Sequence, residues 1–135
     1  MSKETGLAWT AWSVDDAAGA VCTLVNDVTQ CNFATPRAVL DDTGLDKSAY
    51  ERLLGLADLT GSFTLWYNDD ASKGFSVVKT ISSTTVQRTL TNTVSGNTLA
   101  AEVWLTDAPW QRGTDGSLTA AIPFSLANGA VPTWA

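Results

Sequence analysis

Polar and apolar residues alternate over much of this chain with the period of a strand. Between Leu59 and Asn68, Phe63, Leu65 and Tyr67 share one face, and Ser62, Thr64 and Trp66 share the other. The last third repeats the pattern more fully. Val86, Leu90 and Val94 point inward, and Thr85, Gln87, Thr89, Thr91 and Thr93 form an uncharged polar face opposite them. A tight turn at Gly96-Asn97 leads into a return strand with Leu99, Ala101, Val103 and Leu105 inside and Glu102, Trp104 and Thr106 outside. After a connection over 107–116, Leu118, Ala120, Ile122, Phe124 and Leu126 finish an antiparallel meander. At the other end of the chain, Leu7 to Val14 carries apolar groups on both faces, turns over 15–19 and returns through Ala20 to Val25. The pattern therefore predicts at least six strands.

One stretch has a different period. In 42–58, Leu45, Ala49, Leu53 and Ala57 recur every four residues, and Tyr50 and Leu54 widen the stripe, which predicts a short helix over about 46–55. Asp46, or Ser48 with Glu51 three residues on, is placed to cap its start, and Gly55 to end it. A helix of two turns is marginal alone, so Leu45, Ala49 and Leu53 are expected to dock on a sheet. On that reading Leu53→Asp costs several kcal/mol, because it buries an unpaired charge. Ala71 to Ile81 fits a helix, a strand or a loop, and 26–35 reads as polar and irregular up to Pro36. The predicted fold is mainly β: an antiparallel β-sandwich or barrel with one short flanking α-helix. It forms a single domain over 1–135, with a flexible arm at 1–6 and a short tail at 127–135.

Composition narrows the function. A formal charge of −6 with eight scattered basic residues leaves no cluster to neutralise phosphates, which argues against ordinary nucleic-acid binding. There is no histidine, so the commonest general base and metal ligand are both missing, and an enzyme is not expected. The carboxylate pairs Asp15/Asp16, Asp41/Asp42 and Asp69/Asp70 sit at predicted turns, where aspartate bonds its own backbone; none has the spaced ligands of a calcium loop. No cofactor or metal is expected. Cys22 and Cys31 read as two buried thiols, or as a disulfide if the compartment is oxidising. The N-terminus lacks an apolar signal core and no run is long enough to span a membrane, so a cytoplasmic start and no membrane partner are expected. Trp66 and Trp104 fall on the less apolar faces of their strands, as candidates for an interface or a sugar-stacking platform if no second layer covers them.

In order along nearly the whole chain, several segments resemble the tail tube proteins, also called major tail proteins, of long non-contractile-tailed bacteriophages. The early hairpin Trp12-Ser13-Val14-Asp15-Asp16-Ala17-Ala18-Gly19 is similar to that family's opening. The step Asp41-Asp42-Thr43-Gly44 into a helix ending Leu54-Gly55-Leu56-Ala57-Asp58 is similar to its centre. The strand Gly61-Ser62-Phe63-Thr64-Leu65 and the ending Asp115-Gly116-Ser117-Leu118-Thr119 through Phe124 complete the match. The resemblance implies a β-sandwich with one flanking helix, six copies closing into a ring, and rings stacking into a hollow tube. Double-stranded DNA passes through that tube on ejection as non-specific cargo. It also implies a tape measure protein, an initiator complex and a terminator as partners, assembly in a host bacterial cytoplasm, and a final place in the virion tail. Either 26–36 or 69–85 would supply the family's stacking loop. A conduit lined by lysine or arginine would hold its cargo, so the polar face Thr85, Gln87, Thr89, Thr91 and Thr93, with Glu102, is a candidate lumen wall. The alternative from a different class is a monomeric β-sandwich module that binds carbohydrate through Trp66 or Trp104.

Overall fold

The structure is a computed structural model that describes residues 3–135; Met1 and Ser2 of the expected arm lie outside the described residues. A single 3-10 turn, Gly6–Ala8, starts where the Thr5 hydroxyl accepts from the Leu7 amide. The strands and one helix then run in chain order: β1 (Trp9–Asp15), β2 (Val21–Thr23), β3 (Val28–Ala34), β4 (Arg37–Asp41), β5 (Arg52–Ala57), β6 (Thr60–Trp66), α1 (Gly74–Val78), β7 (Arg88–Val94), β8 (Asn97–Leu105), β9 (Trp110–Arg112) and β10 (Leu118–Leu126). The fold is mainly β, antiparallel throughout, with one short helix.

The alternation read from sequence places the core. Phe63 and Leu65 of β6, Leu90 of β7, Leu99, Val103 and Leu105 of β8, and Ala120, Ile122 and Phe124 of β10 are buried, joined by Trp12 and Val14 of β1. The β7–β8 connection is a two-residue loop of Ser95 and Gly96, one residue earlier than expected. Both have positive φ, +51° and +82°, which is the requirement of the turn that matches strand twist.

Eight strands form one sheet in the order β2-β1-β7-β8-β10-β6-β3, with β9 also on β10. In a flat sheet β1 and β6, four steps apart, would lie about 19 Å from each other. Yet the Trp12 and Phe63 ring centroids are 5.4 Å apart, and Trp9 meets Phe33 of β3 at 5.6 Å. The sheet therefore folds over on itself. The fold line lies between β8 and β10, which share three register pairs, whereas β7/β8 and β10/β6 each share seven. One layer is β2-β1-β7-β8 and the other is β10-β6-β3, and the barrel does not close. The tail returns to the first layer: the Ala135 amide donates to the Thr98 carbonyl at 2.8 Å, and Trp134 stacks near Phe33.

The expected helix over 46–55 is absent. That stretch belongs to an antiparallel hairpin, β4 with β5, which hydrogen-bonds to no other strand. Leu45, Ala49 and Leu53 do not form a docking stripe; all three are exposed, so Leu53→Asp places its charge in water. The four-residue spacing misleads because both faces of the hairpin are apolar, and this hides the two-residue period. The helix lies instead at Gly74–Val78, where Gly74 approaches Leu65 and Val77 and Val78 join the core. The 26–35 stretch is not irregular, since most of it is the edge strand β3.

Arg88 is the unexpected core residue. It sits on the inward face of β7, 1% exposed, and its guanidinium donates to the Val77 carbonyl at 2.7 Å, the Thr80 hydroxyl at 3.0 Å and the Asp15 carbonyl at 3.3 Å. Burial pulls its pKa down, while the negative charges of Asp16 and Asp15 oppose that shift. The side chain ties the end of α1 to the first layer.

Candidate functional site

Among the described residues no three acidic or sulfur side chains converge as metal ligands. The features that could act are surfaces. The first is the outer face of the β2-β1-β7-β8 layer. Register pairs Thr93 with Thr98, Thr91 with Ala100 and Thr89 with Glu102, and on the other side Thr91 with Ser13 and Thr93 with Ala11. Of the expected polar face, Thr89, Thr91, Thr93 and Glu102 therefore lie together, half-buried, whereas Thr85 and Gln87 precede β7 in an exposed connection. The strand residues on this face include the carboxylates Asp15 and Glu102 and no lysine or arginine.

Asp15 and Glu102 meet at Thr89. The Thr89 hydroxyl donates to Glu102. Burial pushes the Asp15 carboxyl up, the nearby charges of Glu102 and Asp16 add to the rise, and hydrogen bonding from Thr89 pulls it back. A carboxyl with a raised folded pKa binds its proton more tightly in the folded chain, so ionised Asp15 costs stability above that pKa, and the cost disappears as pH falls below the ordinary carboxylate value. Asp15→Asn is therefore expected to be more stable than the parent at pH 7. The two unfolding midpoints should converge as acid titrates Asp15, in urea melts at a series of pH values. A constant difference across that range would show that charge is not the cause. Asp41 and Asp115 act with the opposite sign. Hydrogen bonds from Thr43 and Ser117 hold them below the ordinary value, so what they contribute is lost as pH falls through their folded pKa.

The second surface is the β4–β5 hairpin. Val39 pairs with Leu54 on one face, with Leu56 two residues along, and Leu40 pairs with Leu53 on the opposite face. All five are more than half exposed, as are Leu45 and Tyr50 near the tip. The hairpin is nonetheless well formed locally. At its base Arg37 Nε donates to the Gly55 carbonyl at 2.9 Å and the Asp58 amide to the Pro36 carbonyl at 2.9 Å. At its tip the Thr43 hydroxyl bonds Asp41 and accepts from the Glu51 amide at 2.8 Å, and Lys47 pairs with Glu51. The Asp41-Asp42-Thr43-Gly44 step is thus the start of the tip rather than of a helix. An element with two open apolar faces is built for contact. No sequence period revealed Val39, Leu40, Leu54 and Leu56 as a surface; the density of leucine around Gly55 was the available signal.

The two tryptophans do not share a platform. Trp66 ends β6 opposite Thr119, and Trp104 lies opposite Ser125, so six residues of β10, about 20 Å, separate them. Trp66 is 44% exposed and Trp104 half-buried. Neither cysteine is bridged: Cys22 is buried, Cys31 is half-buried, and burial raises both thiols.

No family model matches the chain, and no curated protein matches it. Solved structures do. A chain from the tail of an empty gene transfer agent particle, determined by helical refinement with C6 symmetry, superposes with a TM-score of 0.73 at 12% identity, over 98% of this chain and 99% of that one. A chain from the virion of a native gene transfer agent particle gives 0.71 at 10% identity with the same coverage. Over almost its entire length, this chain has the fold of proteins found in those tail and virion particles.

Proposed function

We propose that this protein is the structural subunit of a tail tube: six copies close into a ring, rings stack into a hollow tube, and double-stranded DNA passes through it on ejection. The observation that carries this reading is the hairpin, apolar on both faces and covered by nothing in the single chain. Surface of this kind requires a partner, and a partner on each face is what a subunit inside a repeating assembly has. The C6 symmetry of the similar tail particle supports six as the ring number. The open edges of β2 and β3 offer backbone groups for ring closure.

The outer face of the first layer suits the lumen. Thr89, Thr91, Thr93 and Glu102, with Ser13 and Asp15 beside them, give a polar wall that has carboxylates and no cation to grip phosphate. Thr85 and Gln87 stand outside this wall. The hairpin 37–57, rather than 26–36 or 69–85, takes the part of the projecting contact loop. Tape measure, initiator and terminator proteins are the further partners expected of such a tube, which would be built in a host cytoplasm and end in the virion tail. Trp66 and Trp104 lie about 20 Å apart along β10, so a carbohydrate module would work through one of them alone.

Electron microscopy with light scattering over a concentration series tests the assembly directly; six-fold rings or hollow tubes support it. A chain that stays monomeric at every concentration, and with an initiator complex present, would sink it. Leu53→Asp separates folding from assembly. In the single chain it is expected to change stability by no more than about 0.5 kcal/mol, while abolishing rings or tubes. A large fall in unfolding midpoint would show instead that Leu53 packs within its own chain.

A further inference from the structure

Among the described residues, three buried side-chain atoms have no hydrogen-bond partner in the protein: Nε1 of Trp9, Nε1 of Trp12 and Oδ1 of Asn92. They belong to one neighbourhood. Trp12 and Asn92 pair directly across the β1–β7 ladder, both on its inward side and almost wholly buried, and the Trp9 and Trp12 rings lie 5.7 Å apart. Residues three apart on an unbroken strand point to opposite faces, so two inward tryptophans at 9 and 12 need an extra residue between them. Thr10 supplies it. The ladder pairs Trp9 with Val94 and Ala11 with Thr93, and the resulting bulge turns Trp9 inward against Phe33. In the facing layer β3 has a bulge of its own at Thr29, because Val28 pairs with Leu65 and Gln30 with Thr64. Between these two strands lies a pocket of about 210 Å³, with Trp9 and Trp12 on one wall and Val28, Thr29, Gln30 and Cys31 on the other.

We propose that the inner end of this pocket is a built water site, where one ordered water accepts from the indole N–H groups of Trp9 and Trp12 and donates to the Asn92 side-chain oxygen. The donor set selects the ligand. Two donors and one acceptor close together call for a molecule that accepts twice and donates from the same atom, which a water oxygen does. None of the lining residues is charged, so an ion finds no counter-charge there. The volume is ample, since a water takes up about 30 Å³ in the liquid. Thr29 and Gln30 are exposed at the rim and give the water a way in. Asn92 already donates to the Leu99 carbonyl at 3.5 Å, which leaves its oxygen as the free end. Polar atoms taken out of water and left unpaired are costly, and a single bridge satisfies all three. It also ties β1 to β7 from the inside, beside the edge where the barrel does not close.

Nuclear magnetic resonance of the folded 15N-labelled chain tests this, with Leu53→Asp on the exposed hairpin added if the parent assembles. The indole protons of Trp9 and Trp12 are expected to show dipolar cross-peaks to water with the sign of a long-lived bound molecule, and rotating-frame spectra separate these from proton exchange. Trp66 and Trp134, 44% and 50% exposed, are the controls, because water at an open indole leaves too quickly to give that sign. Asn92→Leu keeps much of the side-chain shape and lacks the acceptor; it is expected to lower the urea midpoint and to abolish the Trp12 cross-peak. Absence of a bound-water signal at Trp12 in the parent sequence overturns the site, and this measurement decides alone if Asn92→Leu does not fold. A folded Asn92→Leu chain with the Trp12 cross-peak unchanged overturns the bridge to Asn92. Neither result bears on the tail tube reading.

Discussion

Gly61→Ala is expected to cost about 3 kcal/mol or more, a large fraction of the stability of a single domain. Gly61 lies on β6 opposite Phe33, where β3 crosses unusually close. A Cβ added there would stand 2.2 Å from the Asn32 carbonyl oxygen, 2.7 Å from the Phe33 Cα and 2.8 Å from the Phe124 ring. Two of those three atoms are backbone of a paired strand, so no rotamer change relieves the contact. Either β3 lifts from the sheet or β6 bends away from Phe124. Gly55→Ala on the hairpin is the control, because its Cβ meets Ala38 at 3.3 Å on an element free to shift. Urea midpoints compare the two; a Gly61→Ala midpoint equal to that of the parent would mean that β3 has room the geometry denies.

Arg88→Ala is the second large effect, expected at about 3–5 kcal/mol. The substitution empties the volume of a long side chain in the core. It also leaves the buried Val77 carbonyl without its 2.7 Å donor and frees Thr80 and Asp15 from their shared anchor. Arg88→Lys keeps the charge and one contact but loses the planar fork, so it should fall between the two. Denaturant midpoints give the size, and amide exchange gives the place: residues 74–80 should open faster in both variants. If Arg88→Ala were as stable as the parent, desolvation of the buried guanidinium would have to cancel its packing and hydrogen bonds.

Arg88 also shows where a sequence stops being informative. On β7 the outward threonines are legible at once, and Leu90 marks the opposite face. That same parity carries Arg88 and Asn92 inward, against the rule that charge faces water, and the guanidinium finds its partners on α1, at Thr80 and on β1, which the β7 pattern alone does not show. The late strands were legible because each has one wet face and one dry face. The hairpin was not, because Leu40 and Leu53 on one side match Val39 and Leu54 on the other, and a segment apolar on both faces has no two-residue period to detect. No other strand of the sheet pairs with it, so nothing within this chain could correct the helical interpretation. The five residues of α1 are too few to express a helical period, and Lys73 supplies no capping side chain at its start. Of the candidate wall, Thr89, Thr91, Thr93 and Glu102 were legible as one face; the meeting of Asp15 with Glu102 needed the β1–β7 register.

The short seam between β8 and β10 has a mechanical consequence. Three residue pairs join the two layers there, against seven on the ladders at either side, so a load prising the layers apart finds its softest line at Leu105, Trp104 and Val103. A rod made of such units can bend by letting every unit yawn a little at this line, like a stack of half-open books, without tearing any long ladder. Amide exchange at this seam faster than within β7 would be the signature, and equal protection along both would place the compliance elsewhere.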